Sequence, residues 1–287
     1  MTTQIRKRKK TFVLIIPRFE DILNSFYAGE IIRGACLAAS RLKTDILIHI
    51  TDRSDHRGWL DSSLLDRNFV DGIIFADIDN DVGIVKKAVA QEMPYVLLNN
   101  VLNFPMNWIA VDNKKATIQL VDHLIKAGHK KIATIAGELT TQAGQLRLEG
   151  FKEALAENGI TVPKSYITFG DFLRTPARKA AEQLLALEDR PTAIFAASDV
   201  MAMELIDVAK SKNIQVPDDL SVIGFDDNPL NRTSPVKLTT VAQPLNEMGR
   251  LGVENLHLIC SGRAKLPVKV LLPTKLIKRA SVKALEP

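Results

Sequence analysis

The sequence predicts an α/β protein built as two lobes, each a doubly wound parallel sheet. Short, continuously apolar runs alternate with longer helical stretches, which is the pattern of βαβ units whose sheet is covered on both faces. This alternation starts afresh near residue 114, so the chain carries two similar halves. Its 287 residues are long for one core and suit two lobes of about 100–150 residues.

The first half is read from its apolar runs and from the amphipathic stretches between them. The run from Gly72 to Phe75 is typical of a buried strand. The predicted strands are 11–16, 45–50, 70–76, 94–98 and 108–111, and the predicted helices are 26–42, 58–69 and 82–92.

The second half repeats the pattern with clearer helix signals. Leu148, Phe151 and Leu155 recur at helical spacing, and Gly128 and Gly159 follow two helices, as C-cap glycines do. The predicted helices are 114–127, 145–158, 177–187, 200–212 and 248–260, and the predicted strands are 130–136, 166–169, 193–197, 220–224, 268–272 and 275–278.

The composition is that of an ordinary globular protein, with 46% apolar and 25% charged residues. The net charge of +5 comes from the basic run at 6–10, since 33 basic and 33 acidic residues remain without it. We therefore expect residues 1–10 to be a solvated, disordered tail; the alternative is the remnant of a segment that leads to DNA.

Export and membrane signals are absent from the sequence. The apolar run 12–16 is shorter than the roughly 7–15 residues of a signal peptide, and no run approaches the roughly 18 residues of a membrane span. Two cysteines, Cys36 and Cys260, give no disulfide framework. These features predict a cytoplasmic protein without a membrane partner.

Aromatic and polar residues follow the predicted strands, where parallel sheets bind their ligands. Carboxylates, an arginine and aromatic rings together suit a sugar-like ligand, held in a cleft between the two halves. Taken singly, each has another interpretation: the phenylalanines as core, the aspartate at 199 as a helix N-cap and the arginine as a surface residue. The residues concerned are Phe26, Ala76, Arg147, Phe172, Ser198, Asp199 and Asp226.

Catalytic and metal-binding motifs are missing. The sequence has no Gly-x-Ser-x-Gly elbow, His-Glu-x-x-His motif, P-loop or G-x-G-x-x-G fingerprint. The stretch 77–81 begins like a calcium loop, but Val82 and Ala88 stand where glycine and glutamate are needed. We therefore expect no enzyme activity, no catalytic residue, no metal and no cofactor.

Seven segments resemble, in order and at similar spacing, motifs of the lactose-repressor (LacI/GalR) family of bacterial transcriptional regulators. NSFY at 24–27 resembles N-P-F-F/Y, and VDN at 111–113 resembles V-D-N. The segments at 123–132, 147–151, 198–202, 216–227 and 238–244 resemble H-L…G-H-R-R-I, R-L-x-G-F/Y, N-D-x-M-A, V-P-x-D-V-S-V-I-G-F-D-D and L-T-T-V-x-Q-P. The resemblance runs from about residue 11 to residue 278.

The resemblance implies a type I periplasmic-binding-protein fold with three crossovers between the lobes. The N-terminal lobe would comprise 11–127 plus 244–265, and the C-terminal lobe 128–241 plus 268–280, with the effector cleft between them. Arg147 and Asp226 would bind polar groups of the effector, and Phe172 would stack on it. The cleft would be lined by Phe26, Ala76, Asp112, Ser198 and Asp199. Ser198 departs from the asparagine that is frequent in the family.

The implied function is the effector-binding and dimerisation core of a transcriptional regulator, with a sugar or similar polyol as effector and a purine as the alternative. A homodimer would form through side faces of both lobes, because operator half-sites need twofold symmetry. Only ten residues precede Thr11, too few for a helix-turn-helix of roughly 45 residues, so we expect DNA contact only through a domain missing from this chain.

Two other classes of function stay open at this point. One is a sugar-binding protein of a transport system, and the other is an enzyme such as a nucleosidase. The effector, the operator, the direction of the response and the choice between dimer and tetramer are not specified by the sequence.

Overall fold

The computed structural model describes residues 8–17, 25–51, 66–76, 78, 82–102 and 106–285. The chain divides into two compact units, the first made of Met1–Ala110 and Leu245–Leu272, the second of Val111–Pro244 and Pro273–Pro287. It passes from one unit to the other three times, the number that the resemblance implies. Both units are α/β with parallel strand pairs, so the predicted fold class is confirmed.

The first unit is organised around a six-stranded sheet. Its strands are β1 (Thr11–Pro17), β2 (Asp45–Thr51), β3 (Gly72–Ala76), β4 (Tyr95–Leu98), β5 (Trp108–Val111) and β11 (Lys269–Leu272), in the order β11-β5-β4-β3-β1-β2. Its helices are α1 (Phe26–Leu42), α2 (Gly83–Ala90) and α7 (Leu245–Cys260). Neighbouring strands from β1 to β5 pair in parallel.

Helices α1 and α7 pack at backbone contact distance. A Cβ atom at Gly34 would lie 1.8 Å from the Asn246 carbonyl oxygen, and one at Gly249 would lie 2.1 Å from the Ile31 carbonyl oxygen. The two glycines therefore let the helices approach more closely than any side chain would allow.

The second unit has a four-stranded parallel sheet and a two-stranded antiparallel ribbon. The sheet runs β7-β6-β8-β9, with strands β6 (Ile132–Ala136), β7 (Ile167–Phe169), β8 (Ala193–Ala196) and β9 (Ser221–Ile223). The ribbon pairs β10 (Thr240–Ala242) with β12 (Lys275–Ile277). Its helices are α3 (Asn113–Lys126), α4 (Gln142–Glu157), α5 (Arg174–Leu185) and α6 (Asp199–Ser211). Strand β6 is buried at all five positions, because the sheet is covered on both faces.

The boundaries of the two units differ from the predicted lobes at two places. Helix α3, predicted in the N-terminal lobe, packs on α4 so closely that a Cβ at Gly150 would lie 2.5 Å from the Lys114 carbonyl oxygen. Strand β11, predicted in the C-terminal lobe, extends the sheet of the first unit, and Trp108 N–H donates to the Val268 carbonyl at 2.8 Å. Neither an apolar helix face nor a short apolar strand specifies by its sequence which sheet it joins.

The predicted tail 1–10 and the helix predicted at 58–69 lie only partly within the described residues. Residues 1–7 and 52–65 lie outside the described residues, and 66–69 form a turn rather than a helix end. Arg8, predicted in the disordered tail, donates to the Asn68 carbonyl at 2.7 Å and pairs with Asp71 at 3.2 Å. The part of the tail next to β1 is thus anchored, because its arginine finds acceptors in the turn before β3.

Candidate functional site

The polar centre of the second unit is Arg147, which is only 3% exposed. Helix α4 carries it, and its Nε–H donates to Asn113 Oδ1 at 2.9 Å while Nη1 donates to the Ala197 carbonyl at 2.6 Å. A buried guanidinium is tolerated only when its donors are satisfied and an anion is near. The prediction singled out this residue, whereas an arginine at a helical position is usually solvent-exposed.

Two aromatic rings lie against the Arg147 guanidinium. Its Cζ is 3.7 Å from the centroid of the Phe225 ring and 5.6 Å from that of Phe172, so both are at cation–π distance. Phe172 has a φ of 61°, and a Cβ at Gly137 would lie 2.0 Å from its ring. A glycine at 137 therefore makes the space in which this ring lies.

Asp226 is the anion beside Arg147. The Arg147 Nη1 and Asp226 Oδ1 atoms are 3.8 Å apart, and Gln243 Nε2 donates to Asp226 Oδ1 at 2.6 Å. Burial raises the pKa of Asp226, and the Arg147 charge and the Gln243 hydrogen bond oppose that shift. The structure thus brings together Arg147, Phe172 and Asp226, the three residues expected to carry the ligand site.

Ser198 and Asp199 begin helix α6 and have different roles. Ser198 Oγ accepts a hydrogen bond from Met201 N–H at 3.4 Å and is the N-cap. Asp199, predicted as a cap or a cleft residue, is 0% exposed, and its carboxylate accepts from donors within the unit. Burial and then the nearby Asp226 charge raise the pKa of Asp199, while its hydrogen bonds lower it.

The remaining predicted site residues lie in simpler surroundings. Asp112 is exposed and caps α3, where its Oδ1 accepts from Lys115 N–H at 2.9 Å. Phe26 is the first residue of α1 and is half-buried, and Ala76 is buried at the end of β3. Because both belong to the first unit, their part in a ligand site stays a prediction.

Sequence reasoning missed the two amides of the cluster, Asn113 and Gln243, and did not select Phe225, which precedes Asp226. Asn113 is 1% exposed and holds Arg147, although the prediction chose its neighbour Asp112. Gln243 is 8% exposed, and its buried Oε1 has no hydrogen-bond partner in the described part of the chain. Both stand inside motifs that had been matched, VDN and LTTVAQP, so an uncharged amide within such a motif was the available signal.

The cluster can recognise a polar molecule through a charged donor, a carboxylate and aromatic rings. In the residues that the structure describes, no three His, Cys, Asp or Glu side chains are grouped as a metal site requires. No helix among the described residues is long and apolar enough to cross a membrane.

The chain matches the family of periplasmic binding protein-like domains over residues 121–282. It is 33% identical to the HTH-type transcriptional regulator DegA of Bacillus subtilis (strain 168) over 283 residues, which is 97% of this chain and 82% of DegA. Two solved structures are similar in fold. A complex of the transcriptional regulator CelR with cellobiose has a TM-score of 0.88 at 28% identity and covers 96% of this chain and 85% of that chain. The lac repressor dimer bound to operator and the anti-inducer ONPF has a TM-score of 0.86 at 25% identity and covers 97% and 96%.

A two-unit α/β fold with a buried polar cluster at the strand ends defines a ligand-binding regulatory core. The chain belongs to the LacI/GalR family of transcriptional regulators, which confirms the predicted resemblance. Since the relatives are regulators, the alternative of a transport binding protein is set aside.

Proposed function

We propose that this regulatory core binds a small polyol, a sugar or a similar molecule, as its effector, and that binding controls attachment to operator DNA. The observation that carries the proposal is the buried Arg147, placed beside Asp226 and against the rings of Phe172 and Phe225. A guanidinium and a carboxylate within 4 Å of each other can address neighbouring hydroxyls, and an aromatic ring can cover the apolar face of a sugar.

The unsatisfied Gln243 Oε1 supports a hydroxyl-rich ligand. A buried acceptor without a partner costs about 1–3 kcal/mol, and a ligand hydroxyl would remove that cost. Cellobiose is the ligand in the similar CelR complex, which adds support for a sugar. A purine is the alternative, because a flat ring could stack on Phe172 while Asp226 accepts its N–H groups.

We propose the following division of roles at the site. Arg147, Asp226 and Phe172 contact the effector, and Ser198 and Asp112 lie at its edge. Asp199 does not contact the effector, because its carboxylate accepts hydrogen bonds from residues of the second unit.

The screen that tests this function measures the thermal stability of the chain with sugars, sugar phosphates and purines. A ligand at about 100 times its Kd stabilises the native state by about 2.7 kcal/mol. Arg147→Ala and Asp226→Ala should abolish the shift given by the active compound, whereas Arg250→Ala, an arginine of α7 paired with Glu254, should keep it. A shift that survives both site substitutions would place the ligand elsewhere.

We also propose that the ligand leaves unchanged and that the protein works in the cytoplasm. The sequence holds no catalytic motif, and the relatives are transcriptional regulators. Incubation of the active compound with the protein, followed by NMR of the compound, should return it intact; a new product would establish an enzyme.

A homodimer is the assembly we propose, by analogy with the lac repressor dimer. Apolar side chains of α1 and the edge strand β2 support a second copy on the first unit: Leu37 is 62% exposed, Leu47 46% and Ile50 45%. Sedimentation should give a dimer for the wild-type chain and a monomer for the double variant Leu37→Glu with Leu47→Glu. A dimer that persists in the double variant would move the interface to another face.

A further inference from the structure

The carboxylate of Asp199 joins two segments of the second unit that are distant in sequence. Its Oδ2 accepts from Asn228 N–H at 2.7 Å and from Asn231 Nδ2 at 2.6 Å, and its Oδ1 accepts from Thr240 Oγ1 at 2.7 Å. None of these three donors belongs to α6, so residues outside the helix satisfy this fully buried carboxylate. The Asp199 carboxylate therefore binds the loop that follows β9.

Two features separate this arrangement from an ordinary helix cap. Ser198 already caps α6, so the Asp199 side chain is free to turn toward the loop. A Cβ atom at Gly224 would lie 2.2 Å from Asp199 Oδ1, so the carboxylate lies where only a glycine leaves room. A side chain at position 224 would therefore displace the Asp199 carboxylate.

Asp199 forms hydrogen bonds with the residues on both sides of a dipeptide whose backbone is strained. Asp226 and Asp227 have φ angles of 128° and 56°, a region that costs of order 1–3 kcal/mol per residue. Before the dipeptide, Asp199 N–H donates to the Phe225 carbonyl at 2.8 Å; after it, Asn228 N–H donates to the Asp199 carboxylate. Such strain persists only where neighbouring contacts hold the backbone.

We propose that Asp199 is a positioning residue: it fixes the loop 224–231 so that Phe225 and Asp226 meet Arg147, and it does so without touching the effector. The proposal rests on the proposed function only in taking Asp226 and Arg147 as effector-binding groups. Arg279 pairs with Asp227 at 2.6 Å and is a second anchor of the same loop. Loss of Asp199 should therefore loosen the loop locally and leave the unit folded.

The test uses the full chain without ligand and compares Asp199→Ala, Asp199→Asn and Thr240→Val. Hydrogen exchange at the Asp226 amide is the informative readout, since its acceptor is the Val241 carbonyl and not Asp199 itself. The second readout is the NMR signal of the Arg147 Nε–H, which the Phe225 ring current shifts while the guanidinium lies 3.7 Å from the ring centroid.

Asp199→Ala should speed exchange at the Asp226 amide about tenfold and move the Arg147 signal away from its ring-shifted position. Asp199→Asn should stay close to wild type, because its carbonyl can accept from Asn228 and Asn231 while its amide donates to the Thr240 hydroxyl. Thr240→Val removes one of the donors, and also the Oγ1 atom that accepts from Asp227 N–H at 3.4 Å, so it should give an intermediate effect. No effect of the valine substitution would count against the proposal even if the alanine variant does not fold.

Asp71→Asn is the matched control, because Asp71 accepts from Thr11 N–H and from Arg8 in the first unit. It should leave both readouts unchanged. Unchanged exchange and an unchanged Arg147 signal in both the alanine and valine variants would overturn the proposal. Equal acceleration at Phe195 in the centre of β8 would also overturn it, since Asp199 would then support only general stability. A failed ligand screen affects neither outcome.

Discussion

The guanidinium of Arg147 lies 3.7 Å from the centre of the Phe225 ring, although the two residues come from different structural elements. Helix α4 carries the arginine, and the loop after β9 carries the phenylalanine. The arrangement holds a buried positive charge between an aromatic face and the Asp226 carboxylate. The directions of the guanidinium N–H groups are therefore fixed before a ligand binds.

Replacement of Arg147 by lysine should weaken effector binding at least about tenfold, which is 1.4 kcal/mol. Lysine keeps the charge but loses the planar fork, so the bond from Nε to Asn113 and the stacking on Phe225 are lost. Calorimetric titration with the compound identified in the stability screen checks this. Arg250→Lys is the control, and equal affinity of Arg147→Lys and wild type would show that charge alone suffices.

Stability should fall more steeply with rising pH in the wild-type chain than in Asp226→Asn. Burial raises the pKa of Asp226 above its ordinary 3.8, so the folded state binds the proton more tightly than the unfolded state. The resulting stabilisation is complete below about 3.8 and is lost as pH rises through the raised folded value.

Urea unfolding at pH 5 and pH 7.5 measures this difference. The loss of unfolding free energy between the two pH values should be about 1–2 kcal/mol greater in wild type than in the asparagine variant. Asp189→Asn, which changes an exposed aspartate, should behave as wild type. Parallel curves for wild type and Asp226→Asn would mean that Asp226 titrates as an ordinary carboxyl.

His129 should make the second unit sensitive to acid. Its ring nitrogens contact Thr192 Oγ1 at 2.9 Å and the Lys283 carbonyl at 3.1 Å, which ties the C-terminal segment to the start of β6. Burial lowers the pKa of His129 from 6.5, so its contribution is present above that pH and is lost as pH falls toward the folded value.

The melting temperatures of wild type and His129→Ala test this at two pH values. At pH 7.5 the variant should be less stable by about 1–3 kcal/mol, because buried polar groups lose their partners. The gap in melting temperature should narrow at pH 5.5. A gap of the same size at both values would show that His129 has the same pKa in the folded and the unfolded state.

Alanine at Gly137 should displace the Phe172 ring. The added Cβ would lie 2.0 Å from a ring atom, and overpacking of this kind costs about 1–3 kcal/mol. Denaturant unfolding and effector titration should therefore both show a loss. Gly29→Ala in α1, where nothing lies within 4 Å of the new Cβ, should be neutral or slightly stabilising. If the two variants behave alike, the Phe172 ring is not held where the structure has it.

Sequence reasoning placed Arg147 and Asp226 in one polar cluster, and the structure has them 3.8 Å apart, but it did not select the amides of that cluster. Arg147 and Asp226 follow from motif and position, because a charge next to a buried strand needs a partner. Asn113 and Gln243 did not, since an amide in a loop motif is equally compatible with a solvent-exposed role. Asp199 was expected among the cleft residues, yet its hydrogen bonds point into its own unit.

The order of amino acids by itself determined the alternation of strands and helices, the two-part organisation and the family, because apolar periodicity and motif spacing are local properties of the chain. Tertiary structure decided which sheet β11 joins, in which unit α3 packs and which hydrogen-bond partner each buried polar group has. Those choices depend on packing between residues far apart in sequence: Asp199 meets Thr240 across 41 positions, and no local pattern encodes that distance.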